Sequence, residues 1–272
     1  MNIQEIPIIN YHKVIPSFDI GITSRHPQQF ESDMILLKNA GYQAVTFNEI
    51  SSGLTNTEKP IIITFDDGYD SVFEYAIPVL DKIGFKSVIY IPTNFIGRTN
   101  DWDIQVGKLR FSHLNQSQLN SLVKDGHEIG SHGNNHQNLC NLSRKHIDFE
   151  LSESKKILED ITGNDILSVS YPFGRFDSNI LEAAIDTGYK YGVAAVHFNS
   201  ISSANPELGL RRYNIYRFDS GAVLKKKIQM SFRTPIGIRD WCIQRGGSAT
   251  TLLQKLKLRS VFQTKGMEII HD

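Results

Sequence analysis

Cysteine, methionine and tryptophan are scarce in this 272-residue sequence, with 2, 4 and 2 copies. Two cysteines, Cys140 and Cys242, cannot build a disulfide framework and are expected to be buried or half-buried free thiols. Net charge is missing too: 29 basic side chains meet 29 acidic ones, which excludes a globally basic nucleic-acid binder. No stretch approaches the ~18 uninterrupted apolar residues of a membrane-crossing helix. The first 14 residues carry Glu5 and no basic leader, so no signal peptide is expected and the default location is cytoplasmic. What is present, 40% apolar and 21% charged residues, is ordinary globular composition. The length fits one large domain or two small ones.

Short apolar runs alternate with amphipathic stretches. Strand-like runs fall at 6–10, 44–47, 60–65, 87–91, 127–131, 166–171 and 189–196. Between them, Phe30, Met34 and Leu37 recur at helical spacing before Gly41, and Val72 to Ile83 does so before Gly84. Leu119, Leu122 and Val123 mark a short helix, a long one follows Ser143 and closes at Gly163, and 180–185 marks another. Such a βαβα rhythm implies parallel strands with helices packed outside. Seven or eight strand candidates favour a closed barrel, in which function sits at the C-terminal strand ends.

Residues 221–272 break the rhythm. They hold ten Lys and Arg against three acids, an excess of +7, and the preceding 220 residues carry −7. We therefore divide the chain into a barrel, 1–220, and a basic C-terminal extension, 221–272.

Two polar constellations interrupt the apolar pattern. Thr64-Phe65-Asp66-Asp67-Gly68-Tyr69 follows a run of three isoleucines. Charges are costly inside a strand, so the carboxylates belong at its mouth. Adjacent residues point in different directions, so one can hold a cation while the other faces substrate or water. Read alone, this is also what a strand-end turn with a solvated acidic pair looks like. Ser131-His132-Gly133-Asn134-Asn135-His136 follows a second strand, with its histidines four apart. That spacing can gather two imidazoles at one point, and a carboxylate completes a three-ligand metal site with an open position.

Together these two segments resemble the motifs of the polysaccharide deacetylase family, the NodB-homology domain of carbohydrate esterase family 4. Pro7 to His12 resembles the family's opening strand, Phe30 to Tyr42 its first helix, and Tyr171-Pro172-Phe173-Gly174 its third motif. The resemblance covers roughly residues 5–218 and implies a distorted (β/α)7 barrel. It implies Asp66 as general base and Asp67, His132 and His136 as ligands of a divalent metal. It further implies Tyr171, Pro172 and Phe173 at the substrate groove, with the backbone N–H near Phe173 helping to hold the oxyanion. Zn²⁺ is the first choice of metal for a His/His/Asp set, with Co²⁺, Ni²⁺, Fe²⁺ and Mn²⁺ as alternatives.

The sequence departs from the family at three places. Gly133 stands where Ser or Thr is common. Ser170 stands where many members carry the Arg that orients the base, which leaves Arg175, Arg211 and Arg212 as candidates. Residues 207–219 lack the late His that protonates the leaving amine. His12, at the end of the opening strand, is the first candidate for that role, and His197 the second. His26, His113, His146 and His271 are read as surface residues. Tyr11, Tyr69, Trp102, Tyr171 and Phe173 could line a sugar groove or pack the core, and the loop 97–102 is expected to face substrate.

The function expected is metal-dependent removal of an N-acetyl group from a sugar, on an oligosaccharide or lipid-linked glycan. The alternatives are hydrolysis of another non-peptide C–N bond and a non-catalytic glycan-binding barrel. An N-acetylated carbohydrate is the expected partner, and nucleic acid is not. Leu224, Ile228, Leu252, Leu253, Leu256 and Val261 lie among the basic residues of the extension, a pattern that suits peripheral contact with an anionic membrane. Full-length protein is then expected to pellet with anionic liposomes at low salt, and a chain lacking the extension is not. Equal behaviour of the two would leave only an extension packed on the barrel.

Overall fold

The computed structural model describes residues 2–17, 21–53, 57–99, 111–195, 205–229 and 235–246. Its core is a ring of seven parallel strands: β1 (Ile8–Tyr11), β5 (Pro60–Phe65), β6 (Val88–Ile91), β7 (Glu128–Ser131), β8 (Ser168–Ser170), β9 (Tyr191–Ala195) and β10 (Leu210–Asn214). The ring closes because β1 pairs with both β5 and β10, with Asn10 opposite Thr64 on one side and Asn214 on the other. Outside the ring, β2 (Lys13–Val14) pairs with β3 (Ser24–Arg25), and β4 (Gln43–Ala44) pairs with the first residues of β5. The helices are α1 (Pro27–Asn39), α2 (Phe47–Ser51), α3 (Ile77–Ile83), α4 (Gln116–Lys124), α5 (Arg144–Thr162), α6 (Ser178–Asp186), α7 (Gly221–Ile228) and α8 (Pro235–Gly246). Among the described residues no helix is long and apolar enough to cross a membrane.

Strand alternation divides the apolar residues into two sets. Ile9, Ile63, Phe65, Ile89, Ile91, Ile129 and Val169 face outward and pack with Phe30, Met34 and Leu37 of α1 and Leu151 and Leu158 of α5. Ile8, Ile62, Val88, Val193 and Leu210 face inward and meet Phe47, the first residue of α2. That helix closes the N-terminal end of the barrel. A capping box between Thr46 and Glu49 starts it, and its Asn48 N–H donates to the buried Glu128 carboxylate at 2.8 Å.

Two strand expectations change. The run 44–47 is not a strand: β4 ends at Ala44 and Phe47 begins the closing helix. The seventh ring strand is instead β10, whose Leu210-Arg211-Arg212-Tyr213-Asn214 lacks a continuous apolar run. Both cysteines are free, but exposed rather than buried.

The extension begins as structure. α7 packs against α1, and its Lys227 is fully buried. The Lys227 ammonium donates to Asp219 Oδ2 at 2.7 Å and to the Asn214 carbonyl at 2.6 Å, and it pairs with Asp240 of α8 at 2.7 Å. A cut after 220 would remove the buried Lys227 and Asp240 along with the tail, so a cut after 246 is the informative one for liposome binding; residues 247–272 lie outside the described residues. Lys227→Met should leave two buried carboxylates with only Arg239, which lies 2.8 Å from each of them, as counter-charge. The expected loss is toward the lower end of about 3–5 kcal/mol of unfolding free energy in a urea titration. A loss below about 1 kcal/mol would show that the ammonium holds nothing in place.

Candidate active site

The C-terminal ends of the ring strands open on one mouth, where the polar residues gather. β5 runs into Asp66 and Asp67, β7 into His132, β8 into Tyr171 and β1 into His12. The inward residues just beneath them are polar too: Asn10, Thr64, Ser170 and Arg212.

Arg212 reaches across the barrel from β10. Its Nη1 donates to Asp66 Oδ1 at 2.9 Å, to Asn10 Oδ1 at 3.0 Å and to Thr64 Oγ1 at 3.1 Å. Its Nη2 donates to Asp66 Oδ2 and, at 2.6 Å, to Ser170 Oγ. Asn10 Nδ2 adds a bond to Asp66 Oδ2 at 3.1 Å. Of the three arginines considered for this place, Arg212 is the one these bonds identify. Ser170 accepts from the guanidinium, so the small residue leaves room for an arginine delivered by another strand. Burial pushes the Asp66 carboxyl up. Arg212, with His132 and His12, outweighs burial and holds it below the usual carboxylate range.

Asp67, His132 and His136 converge: one ligand atom from each lies within 4.8 Å of the other two. His132 Nε2 is 3.5 Å and His136 Nε2 3.2 Å from Asp67 Oδ1. His132 Nδ1–H donates to the Ser170 carbonyl at 2.7 Å, which orients the ring with Nε2 toward Asp67. Burial pushes the Asp67 carboxyl up, but bonds from His132 and His136 outweigh it and hold the group well below its ordinary value. Burial likewise pushes His132 down, and Asp66 and Asp67 outweigh it, so the imidazole sits above its ordinary value.

Strain is concentrated here. Among the described residues, the non-glycine residues with left-handed backbone are Asp67 (φ 68°), His136 (φ 52°) and Phe173 (φ 61°). Such residues persist only where their surroundings enforce the conformation. The second loop is held by Glu150 of α5, whose Oε2 accepts from the N–H groups of Asn134 and Asn135 at 2.9 and 2.7 Å. Gly133 has φ 72° and faces the same carboxylate, so glycine suits this position better than the Ser or Thr common there.

His12 is half-buried at the end of β1. The charges of Asp67, Asp66, Arg212 and His132 all act on its imidazole, so it shares the mouth with them. Burial is the largest influence and lowers its pKa. Phe173 is half-buried, with its ring centroid 5.1 Å from that of His136, and Pro172 beside it is buried. The Tyr171 side chain is a correction. It is fully buried and donates from its hydroxyl to the Leu208 carbonyl at 3.0 Å, so its ring packs behind the groove instead of lining it. Tyr11 donates to Asp33 at 3.0 Å inside the core, and Tyr69 stacks on His113. His113 is a second correction: it is 4% exposed, not a surface residue. Trp102 and His197 lie outside the described residues.

Comparison with known proteins points one way. Residues 53–192 match the family model described as Polysaccharide deacetylase. A Bacillus subtilis (strain 168) protein named for that family, YxkH, is 32% identical over 193 residues, which cover 70% of this chain and 64% of that one. A Staphylococcus aureus poly-beta-1,6-N-acetyl-D-glucosamine N-deacetylase is 24% identical over 202 residues, 68% of this chain and 70% of its own. In fold, the Streptococcus pyogenes deacetylase PplD superposes with a TM-score of 0.69 at 24% identity, covering 82% of this chain and 97% of that one.

The Arg212 bridge generates a pH prediction. Asp66 is held low, so the stabilisation it gives is complete above the ordinary carboxylate range and is lost as pH falls through its depressed value. Arg212→Met should strand the carboxylate and raise its pKa. The expected results are a loss of about 3–5 kcal/mol at pH 7 and a less steep acid loss of stability. Arg212→Lys should recover only part, since a point charge cannot fork across both oxygens. Equal stability of wild type and Arg212→Met across pH 4–8 would contradict this account.

Proposed function

Because this chain belongs to the polysaccharide deacetylase family, we propose that it is a metal-dependent hydrolase that removes the N-acetyl group from a sugar of an oligosaccharide or lipid-linked glycan. The observation that carries the reading is the adjacency of two different carboxylate sites at one mouth. Asp66 is ionised and held by an arginine, and Asp67 faces two imidazoles.

The donor set fits a divalent ion. One carboxylate oxygen and two imidazole Nε2 atoms converge, with the His132 ring already oriented toward Asp67. Imidazole with carboxylate makes Zn²⁺ the first choice. When bound, such an ion supplies Lewis acidity, polarising the amide carbonyl and acidifying water. Asp66 then acts as general base, taking the proton of the attacking water. Arg212 and Asn10 hold its two oxygens, which fixes the carboxylate's direction before substrate arrives. The Phe173 ring beside His136 supports assigning the backbone N–H near Phe173 to the developing oxyanion. His12 serves as proton donor to the leaving amine. Burial keeps it neutral to lower pH than a surface histidine, so the alkaline limb of kcat/KM falls below the position an ordinary imidazole would give. The paired, oriented Asp66 favours this reading over a glycan-binding barrel, which needs no base.

The deciding experiment is acetate release from a panel of N-acetylated sugars by metal-reconstituted protein. Asp66→Asn is expected to lose about 10²–10⁴-fold in turnover with metal binding kept. His12→Gln should remove the alkaline limb. Near-normal acetate release by Asp66→Asn would sink the mechanism, and release from no sugar by wild type would sink the activity.

A further inference from the structure

His113 lies under the acidic motif and has no place in the chemistry just described. It belongs to the segment 111–114, which is bonded on both sides. The Leu114 N–H donates to the Gly68 carbonyl at 2.8 Å and the Asp70 N–H to the Ser112 carbonyl at 2.9 Å. On the other side the His113 N–H donates to the Arg98 carbonyl and the Gly97 N–H to the Leu114 carbonyl, both at 2.9 Å. The segment is thus a strap across residues 67–70. The imidazole bonds into the motif: Nδ1–H donates to the Asp67 carbonyl at 2.7 Å, inside the protein. The ring is clamped for this, stacked on Tyr69 with centroids 5.1 Å apart and planes at 19°, and 5.4 Å from the ring of Phe95.

Asp67 is the residue whose backbone needs such a hold. Its φ of 68° is followed by 58° at Gly68, so two left-handed residues succeed each other. Glycine takes that conformation freely, and aspartate does not. A Cβ at residue 68 would lie 2.7 Å from Ile91 Cδ1, so the turn passes tightly over β6. If Asp67 relaxed to an ordinary φ, its carboxylate would swing away from His132 and His136. We infer that His113 is a positioning residue: by fixing the Asp67 carbonyl it holds the left-handed turn that aims the Asp67 carboxylate at the two histidines. This rests on the metal-site reading, and adds to it a residue outside the family motifs quoted above.

The test uses full-length protein and separates the donor from the ring. His113→Phe keeps the stacking ring and removes the N–H, and His113→Leu serves the same purpose if the phenyl variant does not fold. His113→Asn places an amide N–H near the position of Nδ1. Zn²⁺ affinity is measured by calorimetry and the Co²⁺ ligand-field spectrum by titration, alongside thermal unfolding of the metal-free proteins. Orienting partners of ligands are worth about 10–100-fold in metal affinity. The expected result is a loss of that size in His113→Phe, with an altered Co²⁺ spectrum, and affinity within about 3-fold of wild type in His113→Asn. A folded His113→Phe or His113→Leu that binds Zn²⁺ like wild type would overturn the inference. So would an Asn variant that loses as much affinity as Phe, because supplying the donor again would then restore nothing. Failure of wild type to bind either metal would refute the metal site itself, which is a different outcome.

Discussion

A buried carboxylate facing a buried guanidinium is the constraint on which the rest of the mouth depends. Asp66 and Arg212 are 5% and 3% exposed, so neither charge has water to fall back on. Each is tolerable because the other is there and because Asn10, Thr64 and Ser170 satisfy the remaining donors and acceptors. The pair also sets geometry. Arg212 can reach Asp66 only if β10 lies beside β1, so the same contact that ionises the base belongs to a closed ring. With Asp66 fixed, Asp67 must leave the strand in another direction, toward the two histidines.

The two ends of the barrel divide the labour between stability and chemistry. At the N-terminal end, Ile8, Ile62, Val88, Val193 and Leu210 enclose Phe47 in apolar packing. At the other end sit Asp66, Arg212, Asp67 and the left-handed residues, all of which destabilise the chain locally. Apolar burial at one end can offset such costs at the other, because the strands connect the two rigidly over only a few residues. Lys227, buried between Asp219 and Asp240, shows the same device used for structure alone: it ties α7 and α8 beneath the loop that follows β10.

What the sequence made legible follows from how local each signal is. Asp66, Asp67, His132 and His136 are readable because each sits directly after an apolar run and contrasts with it. The parallel barrel is readable from the alternation of such runs with amphipathic helices. β10 is not legible because Arg211 and Arg212 interrupt its apolar pattern. Arg212 is hydrophilic in sequence and internal in space, since its counter-charge lies 146 residues away. Phe47 misleads for the opposite reason: an apolar residue that plugs a barrel looks like part of a strand. His113 carries no local mark at all. Its surroundings, Phe111, Ser112 and Leu114, give no hint that the ring faces the Asp67 backbone.

A cylinder has no first strand, and this has a consequence for how such a site can change over time. Any point in the interior is within reach of side chains from several staves of the wall. The arginine that many relatives deliver from the position of Ser170 here arrives from Arg212, two staves further round, and the serine remains as its hydrogen-bond acceptor. Chemical roles in a closed barrel are therefore interchangeable among neighbouring staves, and a missing motif letter marks a vacancy in the text before it marks one in the site.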